Sequence, residues 1–133
     1  MSSRLVSTMP TESHKDMAIS FLKSASSGQV KQAYQDFVHD DFTHHNPYFQ
    51  GDRQSLLDGM KKNAENFPNK KFEIKLALEE GDMVVIHGRV QIQENSPWIA
   101  LVHIFRFLDH KIIEEWEVSQ EVPVEMINKH GMF

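Results

Sequence analysis

The apolar residues of this chain change their period at Pro68, and no other feature limits the fold as much. Before Pro68 they recur at helical spacing. In "TESHKDMAISFLKSASSG", Met17, Phe21 and Leu22 share a face with Ala18 and Ala25 beside them. Thr11 offers an N-cap and Gly28 a stop. "QVKQAYQDFV" predicts a second, short helix with Val30, Ala33, Tyr34 and Phe37 on one side. "DFTHHNPYFQG" reads as a short extended piece broken at Pro47 and Gly51. Asp52 can cap a third helix through Leu56, Leu57, Met60, Ala64 and Phe67, which must end at Pro68. Beyond it the period is two. "KFEIKLAL" sets Phe72, Ile74, Leu76 and Leu78 against Glu73 and Lys75. "GDMVVIHGRVQI", "PWIALVHIFRFL" and "KIIEEWEVSQ" follow as strands joined by short turns. Helices first and an antiparallel meander after predict an α+β domain with helices on one sheet face.

With 133 residues, no repeats and no linker, the chain fits one domain over 11–133 behind a loose lead-in of residues 1–10. A net charge of −5, with no lysine or arginine run longer than two, argues against nucleic-acid and anionic-membrane partners. The absence of cysteine excludes disulfides, thiol nucleophiles and cysteine-based metal sites. "MSSRLVSTMP" is too polar for a secretory signal, and no apolar run reaches membrane-spanning length. The expectation is a cytoplasmic protein.

The third strand is apolar on both sides: Ala100, Val102 and Ile104 on one, Leu101, Phe105 and Phe107 on the other. If both faces are covered, a second copy is the economical cover, so a homodimer packed through the sheet is expected. His103 interrupts the Leu101–Phe105–Phe107 row. It is either a satisfied core residue or the acid/base group of a pocket, where a neutral imidazole could take a proton beside a carbonyl or polarise that carbonyl. On the last strand, alternation puts Glu114 and Gln120 with Ile112, Trp116 and Val118, and sets Ile113, Glu115, Glu117 and Ser119 opposite. Two polar side chains on that apolar face suit a pocket better than a sealed core. Glu114 is then the candidate to orient His103, with Trp116 and Phe105 as walls. The bend at Pro47 can carry His45, Asn46, Tyr48 and Phe49 to a cavity mouth, or Asn46 serves only its own turn; His44 is expected outside. Arg106 reads as a surface or interface ion-pairing residue.

The segments "HHNP", "GDMVVIH", "HIFRF" and "KIIEEWEVSQ" together resemble the SnoaL-like branch of the nuclear transport factor 2-like superfamily, from about His44 to Gln120. The resemblance implies a cone, a curved sheet wrapped around helices with a pocket inside, and usually a dimer. It also implies relatives that are cofactor-free enzymes of aldol-type ring closure, isomerisation or epoxide hydrolysis, and others that only bind ligands. It makes His87 a pocket residue, although alternation places His87 with Met83, Val85 and Arg89 on the outer face. This chain departs from the pattern at four places. His103 stands where relatives carry aspartate, Glu115 where they carry histidine, Glu117 where they carry aspartate, and His110 at the usual turn glycine. That last departure predicts a longer or differently shaped turn.

A metal site from His45, His87 and His103 is disfavoured, since they lie in separate elements without paired ligand spacing. No phosphate loop or serine elbow is present either. The expectation is a cofactor-free acid/base protein for a small hydrophobic carbonyl compound, with His103 and Glu114 at its centre. His45, Asn46, Tyr48, His87, Phe105, Trp116 and Gln120 would line the site. A non-catalytic ligand-binding module and a structural dimerisation domain filled by Phe105, Phe107 and Trp116 are the alternatives.

Overall fold

A computed structural model describes residues 12–133, so the expectations for Thr11 and for the lead-in 1–10 lie outside it. Helix α1 (His14–Ser26) begins at Ser13, whose hydroxyl accepts from the Asp16 amide at 3.0 Å. The chain leaves it through Gly28 at φ +95°, a conformation glycine adopts without penalty. Helix α2 (Val30–Phe37) runs straight into strand β1 (Val38–His44). Asp52 caps α3 (Arg53–Asn66) as predicted, accepting from the Ser55 amide at 3.1 Å. Strands β2 (Lys71–Glu80), β3 (Met83–Gln91), β4 (Trp98–Leu108) and β5 (Lys111–Glu121) form the antiparallel meander. The extended piece before Pro47 is an edge strand of the same sheet. It lies parallel to β5, giving the order β1-β5-β4-β3-β2.

The helices cover one sheet face. Phe21 and Leu22 of α1 and Val30 and Tyr34 of α2 pack on Val84, Ile86, Phe105, Phe107 and Ile112. Phe21 meets both Tyr34 and Phe105 edge-on, with ring centres 5.6 and 5.9 Å apart. Each such side chain contributes roughly 1.5–3 kcal/mol by leaving water, so this seam holds the helices to the strands.

Two bulges break the simple alternation. On β2, Ile74 pairs with Gly88 but Leu76 with His87, which leaves Lys75 as an extra residue. Phe72, Ile74 and Ala77 therefore pack towards the core, whereas Leu76 and Leu78 stand on the opposite face, 49% and 64% exposed. The predicted row of four is split. On β5, Ile112 pairs with Phe107 but Glu114 with Arg106, which leaves Ile113 extra. Every side chain from Glu114 onward lies on the face opposite to the one predicted. The β4–β5 turn is no longer than usual. Asp109 and His110 close it in two residues, both at positive φ (53° and 61°), at a cost of roughly 1–2 kcal/mol each for non-glycine residues. No helix among the described residues is long and apolar enough to cross a membrane.

Candidate functional site

Directly paired residues of antiparallel strands point to the same side of a sheet. His103 pairs with Glu117, and Phe105 with Glu115. On the other edge of β5, His44 of β1 lies beside Glu115. All four polar side chains face the helices, and His44, His103 and Glu115 are 5–6% exposed. His103 Nε2 is 3.4 Å from Glu117 Oε1 and 3.9 Å from Glu115 Oε2. The imidazole lies parallel to the Phe105 ring, centres 5.8 Å apart, and meets the Phe72 ring edge-on. These contacts fix its plane.

Above this floor is a cavity of about 280 Å³, lined by His103, Glu115 and Glu117 from the sheet and by Leu22, Leu56 and Met60 from the helices. Asn46 and Phe49 form part of its wall from the loop after β1. Phe49 lies so close over Gly59 of α3 that a side chain there would strike its ring.

The three floor groups hold protons differently. Burial pushes the Glu115 carboxyl up to about 7, the pull of His103 opposing it and the charge of Glu117 adding to it. Burial would also raise Glu117, but contact with His103 and the nearness of His44 outweigh it and hold Glu117 below the usual carboxylate range. For His103, burial favours the neutral ring, yet the two carboxylates prevail and hold its pKa above the ordinary value. His44 is pushed down, chiefly by burial. Three buried atoms of this cluster, His44 Nε2, His103 Nδ1 and Glu115 Oε1, have no hydrogen-bond partner. Each such group costs roughly 1–3 kcal/mol. Two of the three, on His103 and Glu115, belong to side chains lining the cavity and are ready for a guest. The ligand atoms of His103, Glu115 and Glu117 also lie within 4.8 Å of one another, a donor set able to hold a divalent cation.

The Ile113 bulge corrects several expectations. Glu114 does not reach His103. On the outer face its carboxylate meets His45 Nε2 at 2.7 Å and accepts from Arg106 at 2.9 Å. Trp116 is also outside, stacked on His45 with ring centres 5.0 Å apart, and Gln120 is exposed on the same face. His87 follows plain alternation rather than the family likeness: it stacks on Phe133 on the outer face. His103 on the inner face is thus separated by the sheet from His45 and His87 on the outer side, and the three cannot share an ion. Tyr48 is 85% exposed, while its neighbour Phe49 lines the cavity. Asn46 does both things expected of it, lining the cavity and accepting from the Tyr48 amide at 3.0 Å. Phe105 is core packing behind His103 rather than cavity wall. His44, expected outside, is buried beside Glu115 because β1 is part of the sheet. The reading missed Glu115, Glu117 and His44. The adjacent apolar pair Ile112–Ile113 is the sequence feature at the bulge, but it does not by itself mark one, since Ala100 and Leu101 are buried neighbours in unbroken register.

A family model, the SnoaL-like polyketide cyclase, matches residues 16–126. Among solved structures, the chain is similar to a SnoaL-like polyketide cyclase from Agrobacterium tumefaciens, with a TM-score of 0.68 and 15% identity over 83% of this chain and 93% of that one. It is similar as well to a cystatin-fold protein from Novosphingobium aromaticivorans (TM-score 0.69, 18% identity, 81% and 99% covered). An NTF2-like protein from Cytophaga hutchinsonii gives a TM-score of 0.67 at 17% identity, with 84% and 95% covered. No relative among curated proteins matches the sequence. At such identities the structural likeness speaks for the fold alone, and the family match adds the lineage: the chain belongs to the SnoaL-like polyketide cyclase family.

Proposed function

We propose that the protein binds a small hydrophobic carbonyl compound in this cavity and moves a proton at the carbon beside the carbonyl, without a cofactor. The observation that carries the reading is the geometry of the cavity floor, where His103 Nε2 stands 3.4 Å from Glu117 Oε1 and 3.9 Å from Glu115 Oε2, with Glu115 pushed up to about 7 and Glu117 held below the usual carboxylate range. Acid and base assignments follow from such divergence. Glu117, the ionised member of the His103–Glu117 pair, takes the proton on its carboxylate. The C–H electrons become an enolate, whose oxygen receives a hydrogen bond or the proton from Glu115. Attack of the enolate carbon on a second carbonyl carbon forms a C–C bond, as in aldol ring closure. That carbonyl's π electrons pass to its oxygen, which takes the abstracted proton, and the first carbonyl re-forms as its proton goes back to Glu115. Delivery of the abstracted proton to another carbon gives isomerisation. Either outcome restores the protein's groups to their starting protonation.

The test is proton–deuterium exchange at the α carbons of 2-nonanone in D2O, followed by NMR. Catalysed exchange is expected, lowered on the order of 10²–10⁴-fold in Glu117→Gln and in His103→Ala and unchanged by EDTA. Its kcat/KM should fall as the pH rises through about 7, where Glu115 loses its proton. Exchange that survives His103→Ala would remove the chemistry and leave a binding module; loss with EDTA would hand the trio to a metal.

We also propose a homodimer joined through the outer sheet face. In its support, Trp116, Ile104, Val85 and Leu78 form one continuous apolar row across β5, β4, β3 and β2.

A further inference from the structure

Among the described residues, Lys70 is the one lysine or arginine lining the cavity, and the proton chemistry leaves it unused. It stands just before β2, half-buried in the cavity wall, and its Nζ donates to Asn63 Oδ1 of α3 at 2.7 Å. No carboxylate among the described residues lies within ion-pair distance of it, and residues 1–11 contain no acid. Of the other cations of the sheet, Lys75 and Arg89 reach Glu73 and Arg106 reaches Glu114, whereas Lys71 is exposed and Lys111 donates to the backbone carbonyls of Gln35 and Asp36. Burial alone pushes the Lys70 ammonium below its ordinary pKa, with no neighbouring charge to hold it up. A desolvated cation facing a cavity without a counter-ion is a cost that an incoming anion removes.

The position of Lys70 also gives direction. Phe72, two residues on, pairs with Val90, and Val90 with Ile99. His103 lies four residues further along β4, on the order of 13 Å at the usual strand rise beyond the Phe72 level, and Lys70 lies two residues before that level. Between the two ends the wall is mostly apolar, made by Val90, Ile92, Ile99 and Leu101, with Ser119 beside Leu101. An acid group at the far end would face ionised Glu117, whereas at the near end it meets Lys70 and Asn63.

Resting on the carbonyl reading above, we propose that the ligand is a small oxo-acid, bound with its carboxylate on Lys70 and Asn63 and its carbonyl at the His103–Glu115–Glu117 floor. An apolar spacer of several carbons separates the two groups.

The experiment uses 8-oxononanoate and its methyl ester with the full chain, reading affinity by calorimetry and α-proton exchange by NMR. The acid should bind wild type about tenfold more tightly than the ester, as a charge-assisted contact in a half-buried site allows. Lys70→Met should abolish that preference, and Lys70→Arg should restore most of it. The proposal is overturned if no acid in a series of six to ten carbons binds better than its ester. It is overturned equally if Lys70→Met keeps the preference. The two readouts separate the two claims. Exchange without acid preference removes the Lys70 subsite and keeps the proton chemistry. Lys70-dependent preference without exchange keeps the subsite and removes the chemistry.

Discussion

Glu115 and His103 are almost sealed from solvent, 3.9 Å apart, and each keeps one buried atom without a partner. Such a pair makes stability depend on pH, and the sign follows from proton counting. Between the ordinary carboxylate value of 4.5 and about 7, folded Glu115 holds a proton that the unfolded chain has released. The folded state therefore loses stability as pH rises through that window, by up to about 3 kcal/mol. His103, also raised, acts in the same direction above its ordinary value, whereas Glu117, lowered, matters only in acid. Thermal melts from pH 5 to 8 should show wild type declining, and Glu115→Gln, which cannot ionise, declining less. Parallel curves for the two proteins would contradict this. His103 was legible in the sequence because no bulge precedes it on β4; Glu115 and Glu117 were not, because one residue upstream exchanged their face. His103 lies directly opposite Glu117 and reaches Glu115 only on the diagonal, at 3.9 Å.

At the scale of elements, period and caps made the helices and the meander readable, since helix and strand differ in spacing and Asp52 and Pro68 mark boundaries. Two things were not readable: that β1 pairs with β5, a contact between residues far apart in sequence, and where the bulges fall. Both bulges have physical consequences. The β2 bulge brings its backbone over Gly88 of β3, where a Cβ would sit 2.5 Å from the Glu73 carbonyl oxygen and 3.4 Å from Ile74 Cα. Backbone atoms cannot swing away as a side chain can. Gly88→Ala should therefore cost roughly 1–3 kcal/mol, although alanine is a better strand residue than glycine in the abstract. A urea titration checks it: a lower midpoint with unchanged slope is expected. An unchanged midpoint would mean that the bulge yields.

For the molecule as a whole, the outer sheet face is the surface without a helix over it. Beside the row from Trp116 to Leu78 runs a second one, Val118, Val102, His87 and Leu76. The two rows lie side by side across four strands. Phe133 stacks on His87 at 5.3 Å, with the Arg89 guanidinium 5.4 Å and the Lys75 ammonium 5.9 Å from its ring. Val118 and Leu78, at opposite ends of the rows, are each 64% exposed. Contiguous apolar surface of this kind is uncommon on monomers, and a second copy meeting it face to face would bury both rows at once. The exposure of Val118 and Leu78 also makes a clean test possible, because charge there burdens an interface without entering the core. Val118→Asp and Leu78→Glu should each weaken association by about 100-fold or more, by placing an unpaired charge in a desolvated contact. Light scattering at tens of micromolar should give a dimer for wild type and a monomer for each variant, with helix content by circular dichroism unchanged. A monomeric wild type would leave the rows solvent-facing and the dimer proposal without support. A dimer insensitive to both substitutions would move the interface elsewhere, since no sheet-to-sheet packing centred on these rows can avoid both ends.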